Sequence, residues 1–133
     1  MQTFHGAHSE ISEINSGGLF GGLFSGVEEA AESHGNVIHI ITSPRPLTDY
    51  ELNYEIDGAW DAAVSLCGGD EDRAEAIMAP GCESESKDGE DGWELQRLRG
   101  ALAAKLGYTS VEMEDEHGTT WLCLPGCSIE MVK

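Results

Sequence analysis

The spacing of apolar positions changes several times along this chain, and each change marks a predicted element. Gln2 to Gly6 is short and β-compatible, with Gly6 as its stop. A polar stretch then leads into Gly17-Gly-Leu-Phe-Gly-Gly-Leu-Phe-Ser25, where repeated glycine disfavours helix. That run suits either a structural turn or a loop that brings backbone close to a ligand while Phe20 and Phe24 anchor it. Val27 to Ser33 predicts a short helix with acidic residues in its first turn, where the dipole prefers them, and Gly35 as its C′ stop. Val37-Ile-His-Ile-Ile41, largely β-branched, predicts a buried strand that ends before Pro44 and Pro46.

Helical spacing dominates the middle of the chain. Thr48-Asp-Tyr-Glu51 matches a capping box and predicts the start of a helical turn. Ala59 to Leu66 predicts a helix stopped by Gly68-Gly69, and Asp70 caps a second, Glu71 to Met78, ending before Pro80. Residues 82–91 are Ser, Glu, Asp and Gly with little apolar content, the composition of a mobile acidic loop. Leu95, Leu98, Leu102 and Leu106 recur at three and four, which predicts a helix from Trp93 to Leu106 with Gly107 as its stop. Its buried face is apolar, while Arg97, Arg99 and Lys105 supply nearly half of the chain's few cations.

Two strands follow, Thr109 to Glu114 and Thr119 to Leu124, around a hairpin loop Asp115-Glu-His-Gly118 in which Gly118 is free to take positive φ. Ser128 to Val132 is compatible with a last short strand. Strands and helices are not interleaved regularly enough for a parallel doubly wound sheet. The order predicts an α+β domain on antiparallel strands.

Composition adds two constraints. A chain of 133 residues, 40% hydrophobic, suits a single core. Seven Lys and Arg against 25 Asp and Glu give a net charge of −18, a field that repels nucleic acid and anionic membranes and attracts basic surfaces. The same charge also serves solubility alone. No run approaches the roughly 20 apolar residues of a membrane span, and no basic-then-apolar segment opens the chain, so a soluble cytoplasmic protein is expected. Cys67, Cys82, Cys123 and Cys127 lack metal-knuckle spacing and are expected as reduced, mostly buried thiols, with no metal.

The polar candidates each have an ordinary structural explanation. His5, at the end of the first strand, suits a satisfied structural imidazole as well as a catalytic one. His34 at a helix C-terminus, and Glu94 in a first turn, are both favoured by the helix dipole. Asp115 stands between Glu114 and Glu116, a crowding that raises carboxylate pKa values in active sites and on solvated hairpins alike.

Their order along the chain is more informative. A His-Gly step, a glycine-aromatic loop, a histidine ending the next helix and a late carboxylate hairpin together resemble the ADP-ribosyltransferase fold of poly(ADP-ribose) polymerases and related bacterial toxins. The resemblance implies a split antiparallel β-sandwich core with flanking helices, in a single domain over residues 1–133. It also implies NAD as a substrate held by His5, Gly6, Phe20, Gly22, Leu23 and Phe24, with His34 where the family offers a stacking tyrosine.

Longer strings sharpen the resemblance. Phe4-His-Gly6, Ser16-Gly-Gly-Leu-Phe-Gly-Gly-Leu-Phe24, Leu52-Asn-Tyr-Glu-Ile56, Gly92-Trp-Glu-Leu-Gln-Arg-Leu-Arg-Gly100 and Leu106 to Gly118 are similar to the small phage anti-CRISPR ADP-ribosyltransferases directed at the type I-F surveillance (Csy) complex. This implies mono-ADP-ribosyl transfer from NAD to an asparagine in the large subunit that reads the short motif beside the DNA target. The added bulk and phosphates would block DNA binding in the cytoplasm of the infected host, with no direct contact to nucleic acid or membrane. The competing reading is a non-catalytic acidic mimic of DNA, which the charge alone supports.

One position departs from the wider superfamily. Its late-strand glutamate precedes an aromatic, whereas here Thr120 precedes Trp121. The catalytic carboxylate is therefore expected at Asp115 on the same hairpin, and next at Glu94. Breaking the nicotinamide–ribose bond develops positive charge on the ribose, and a carboxylate is the group that stabilises it.

Overall fold

A computed structural model describes residues 1–14, 21–82, 89–115 and 118–132, the side chains of 89–93 and 115 excepted. Phe20 and most of the predicted acidic loop lie outside these described residues. The strands are β1 (Gln2–Ala7), β2 (Leu23–Ser25), β3 (Val37–Thr42), β4 (Pro46–Leu47), β5 (Ser110–Asp115), β6 (Gly118–Cys123) and β7 (Ser128–Met131). The helices are α1 (Glu28–Glu32), α2 (Ala59–Leu66), α3 (Glu71–Met78) and α4 (Gly89–Lys105), with a π-helical turn at Glu51–Glu55.

The strands form two sheets, ordered β1-β3-β7 and β2-β6-β5-β4. Every pairing is antiparallel except the two-residue contact of β4 with β5. The sheets meet where Phe4 and Gly26 exchange backbone hydrogen bonds of 2.8 and 2.9 Å. The result is a mixed α+β fold with a split antiparallel core, as the resemblance implied.

The larger core lies between the helices and the second sheet. Leu95, Leu98 and Leu102 of α4 pack with Ala63, Ala74 and Ile77 of α2 and α3, and with Val111, Met113 and Leu122 of β5 and β6. Gly100 lets α4 approach β6 closely, since a Cβ there would lie 2.7 Å from a Leu122 methyl. A smaller cluster joins Ile14, Ile41 and Cys123, with Leu23, Trp121 and Ile129 beside it.

Local signals translate directly into the helical side. Gly68 and Gly69 end α2 with φ of 65° and 93°, and the Asp70 carboxylate caps α3 by accepting from the Arg73 amide at 3.1 Å. The capping box is reciprocal: Glu51 N–H donates to Thr48 Oγ1 at 3.1 Å, and Thr48 N–H donates to Glu51 Oε1 at 3.2 Å. The turn that follows it is π-helical rather than α-helical.

Other expectations are corrected. The C-terminal part of the predicted glycine loop is strand β2, because Leu23 to Ser25 completes the edge of β6. Gly35 is no left-handed cap. Its Cβ would fall 2.2 Å from the Ala7 carbonyl oxygen, so glycine there permits a close chain approach. Helix α4 begins four residues earlier than predicted, at Gly89, inside the segment assigned to the acidic loop, and Asp115 ends β5 instead of opening a loop. Pro46 and Leu47 form a short strand where only a break was expected.

Arg99 departs most from its predicted surroundings. It is fully buried, and donates through Nε and Nη2 to the Glu112 carbonyl (3.1 and 3.0 Å), through Nη1 to the Ile77 carbonyl (2.9 Å), and through Nη2 to Asp49 Oδ1 (3.0 Å). A buried guanidinium is tolerable because carbonyl dipoles and a carboxylate replace its water. It ties α4 to α3, β5 and the segment before the π-helical turn. Cys82 and Cys123 are buried, and Cys67 and Cys127 half-buried, all as free thiols. Among the described residues no helix is long and apolar enough to cross a membrane.

Candidate active site

Beside the backbone bridge between Phe4 and Gly26, a cleft of about 450 Å³ opens at the seam between the sheets. Strand β1 contributes Phe4, His5 and Gly6, and the facing chain contributes Phe24, Ser25 and Gly26. Ala31 and His34, from α1 and the turn after it, close one side, and Thr120 of β6 another.

His5 is the most constrained titratable group in the cleft. Its Nδ1–H donates to the Phe24 carbonyl oxygen across the seam. Burial holds its pKa below the ordinary 6.5, opposed by that hydrogen bond and reinforced by the neighbouring His39 and His34. With the proton fixed on Nδ1, Nε2 of the neutral ring is an acceptor. His39 lies fully buried behind it, ring centroids 6.3 Å apart, and its Nε2 accepts from the Ile11 amide at 2.9 Å.

Hydroxyl groups fix the opposite wall. Ser25 Oγ pairs with Thr3 Oγ1 and lies 3.1 Å from Cys123 Sγ, while the Ser25 carbonyl accepts from Thr120 Oγ1 at 2.7 Å. The three hydroxyls tie β1, β2 and β6 together.

Close chain contacts set the shape of the cleft. A Cβ on Gly6 would fall 1.8 Å from the Ala31 carbonyl oxygen, so only glycine lets α1 lie against β1 and bring His34 to the cleft. A Cβ on Gly22 would fall 2.3 Å from the Cys123 carbonyl oxygen. The glycines of these motifs therefore serve chain packing. Close approach to a ligand is not what demands them.

The fold brings His5, Gly6, Phe24 and His34 together on one cleft. Gly22 and Leu23 do not line it: Gly22 abuts β6, and Leu23 packs against the smaller core cluster. Phe20 lies outside the described residues. Glu94 stands on α4 away from the cleft lining, in an ion pair with Arg97 that holds its carboxyl below the usual range. Asp115 ends β5 opposite Gly118, two residues beyond Met113, whose partner across the ladder is Thr120. Phe4, Ser25, Gly26 and Ala31 were not expected in the site. Adjacency to His5 and Phe24 could have flagged Phe4, Ser25 and Gly26, whereas Ala31 carries no such signal.

A seam between split antiparallel sheets, lined by a His-Gly step on one strand and an aromatic on the facing strand, is the arrangement of an ADP-ribosyltransferase-like protein. The family described as Anti-CRISPR Type I-F ADP-ribosyltransferase AcrIF11 matches residues 1–132, and the chain belongs to it. A solved structure described as "Crystal structure of an anti-CRISPR protein" is 65% identical with a TM-score of 0.94, over 99% of this chain and 95% of that one. No curated protein matches the chain. Family membership makes the chain a type I-F anti-CRISPR enzyme with NAD as its implied substrate, and sets aside the reading of a non-catalytic mimic.

Proposed function

We propose that the chain, acting as one domain over residues 1–133, moves a single ADP-ribose from NAD to an asparagine of the large subunit of the type I-F surveillance complex. The observation that carries this reading is His5 on the cleft, tied through Nδ1 to the Phe24 carbonyl, with burial holding its pKa down so that Nε2 would accept a ribose hydroxyl. Gly6 accompanies it on β1, and Phe24 and His34 flank the same cleft, where they hold the planar nicotinamide. Gly22 and Leu23 support the strand that carries Phe24.

Asp115 is the carboxylate of choice. It ends β5 on the hairpin whose other strand carries Thr120, a residue of the cleft lining. A carboxylate beneath the ribose stabilises the positive charge that develops as nicotinamide leaves, an effect worth about 3–4 kcal/mol for one well-aimed group. It also orients the acceptor amide, a weak nucleophile whose reaction depends on positioning. Glu94 is the second choice, and its ion pair with Arg97 weighs against it. The net charge of −18 directs the enzyme to a basic protein surface in the host cytoplasm, away from nucleic acid and membrane.

Incubating the surveillance complex with NAD and the enzyme, followed by mass spectrometry, should show one ADP-ribose on an asparagine of the large subunit and loss of DNA binding. Asp115→Ala should slow transfer about 10²–10³-fold while Glu94→Ala changes it little. Equal inhibition without NAD, and no mass increase with it, would refute the reading.

A further inference from the structure

A second groove, of about 480 Å³, lies on the helical side and shares no lining residue with the cleft. The π-helical turn and the segment before it supply Asp49, Asn53 and Tyr54; α2 supplies Trp60 and α3 supplies Glu75. Two large aromatics stand out from a surface where the core would otherwise claim them: Tyr54 is 77% and Trp60 43% exposed. Tyr50 lies against Tyr54, ring centroids 5.1 Å apart, and steadies it.

The polar chemistry of this groove is one-sided. None of its lining residues is Lys or Arg. Glu75 is exposed and has no ion-pair partner among the described residues. Asn53 spends its amide nitrogen on the Asp49 carbonyl, Asp49 Oδ1 and the Met78 carbonyl, at 2.9–3.0 Å, which leaves its Oδ1 as an acceptor. Asp49 is fixed from below by the buried Arg99 and by Asn53, yet its side chain stays 33% exposed. The groove thus offers carboxylate and amide oxygens beside π faces, and its only positive neighbour among the described ion pairs is Arg99, buried beneath Asp49. Its complement is flat, cationic and rich in N–H donors.

We propose that this groove receives the guanidinium of an arginine on the protein acceptor. Guanidinium stacks on Trp and Tyr faces while its edges donate to carboxylates, which a compact ammonium does less well. Identifying the occupant as part of the acceptor rests on the transferase reading above. The groove would act as a docking point: it holds the acceptor without touching NAD, and so governs acceptor KM.

The first test needs neither NAD nor the acceptor. The Trp60 indole N–H resonance, assigned with Trp60→Phe, is followed during titration with a blocked Gly-Arg-Gly peptide and with its neutral citrulline counterpart. The arginine peptide should shift the resonance and the citrulline peptide should not, and Glu75→Gln should weaken binding about 2–5-fold. Equal shifts from both peptides, a lysine peptide matching the arginine one, or no shift at all would overturn the proposal. In the transfer assay, Trp60→Ala and Glu75→Gln should each raise acceptor KM several-fold and leave KM for NAD unchanged. Unchanged acceptor KM in both variants would also overturn it. If the peptide binds as expected but the native enzyme modifies no subunit, the transferase reading has failed and the guanidinium site stands. If the enzyme modifies its acceptor normally but ignores the peptide, the guanidinium site has failed and the transferase reading stands.

Discussion

The helical side of the molecule and the seam between its sheets are held by different forces. On the helical side, leucines of α4 interdigitate with α2, α3 and the second sheet, and one buried guanidinium satisfies two carbonyls and a carboxylate. At the seam there is a single backbone bridge, a chain of hydroxyls through Thr3 and Ser25, and the His5 contact to Phe24. Apolar burial is roughly additive and indifferent to direction, whereas hydrogen bonds fix direction at little net gain in stability. The first region supplies stability, and the second holds polar groups in register around open space.

The largest expected effect that tests this contrast is on the helical side. Arg99→Met should lower unfolding free energy by about 3–5 kcal/mol, because the Ile77 and Glu112 carbonyls lose their donor and Asp49 loses its counter-charge. Urea denaturation measures it. A loss under about 1 kcal/mol, ordinary for a surface change, would mean that Arg99 is not the tie its contacts describe.

The smallest effect concerns the seam and is read by pH. Burial lowers the His5 pKa below 6.5, so the unfolded chain takes up that proton first. The contribution of His5 to stability is therefore whole above pH 6.5 and is lost as pH falls through the depressed folded value. An NMR titration of the His5 ring should give a midpoint below 6.5. A midpoint at or above that value would show the ring charged in the cleft and useless as an acceptor.

The two regions also differ in how far they could be read from sequence. Helices α2 and α3 fall where Ala59–Leu66 and Glu71–Met78 predicted them, because their stops and caps are local: Gly68, Gly69 and Asp70 act on the nearest turn. The period of Leu95, Leu98 and Leu102 likewise announces the core face of α4. Arg99 stands four residues after Leu95 and three before Leu102, on the apolar face, but its acceptors lie on three other segments and left no local signal of what would satisfy a buried guanidinium there. The start of α4 was hidden by Gly89 to Asp91, which read as loop.

At the seam, His5, Gly6 and Phe24 lie on one cleft, and His34 lines the same cleft. Leu23 belonged to the same motif by sequence but packs on the smaller cluster, because adjacent residues of a strand point to opposite sides, and Gly22, just before the strand, abuts the Cys123 carbonyl of β6. Gly35 carried a capping signal for a residue whose real constraint, the Ala7 carbonyl, is distant in sequence. Tertiary close approach leaves no local mark beyond the glycine itself.

The account stands most directly on where the dinucleotide binds. A crystal structure with a non-hydrolysable NAD analogue should show the nicotinamide between Phe24 and His34, with a ribose hydroxyl donating to His5 Nε2. Analogue bound elsewhere, with the cleft beside His5 left empty, would contradict it.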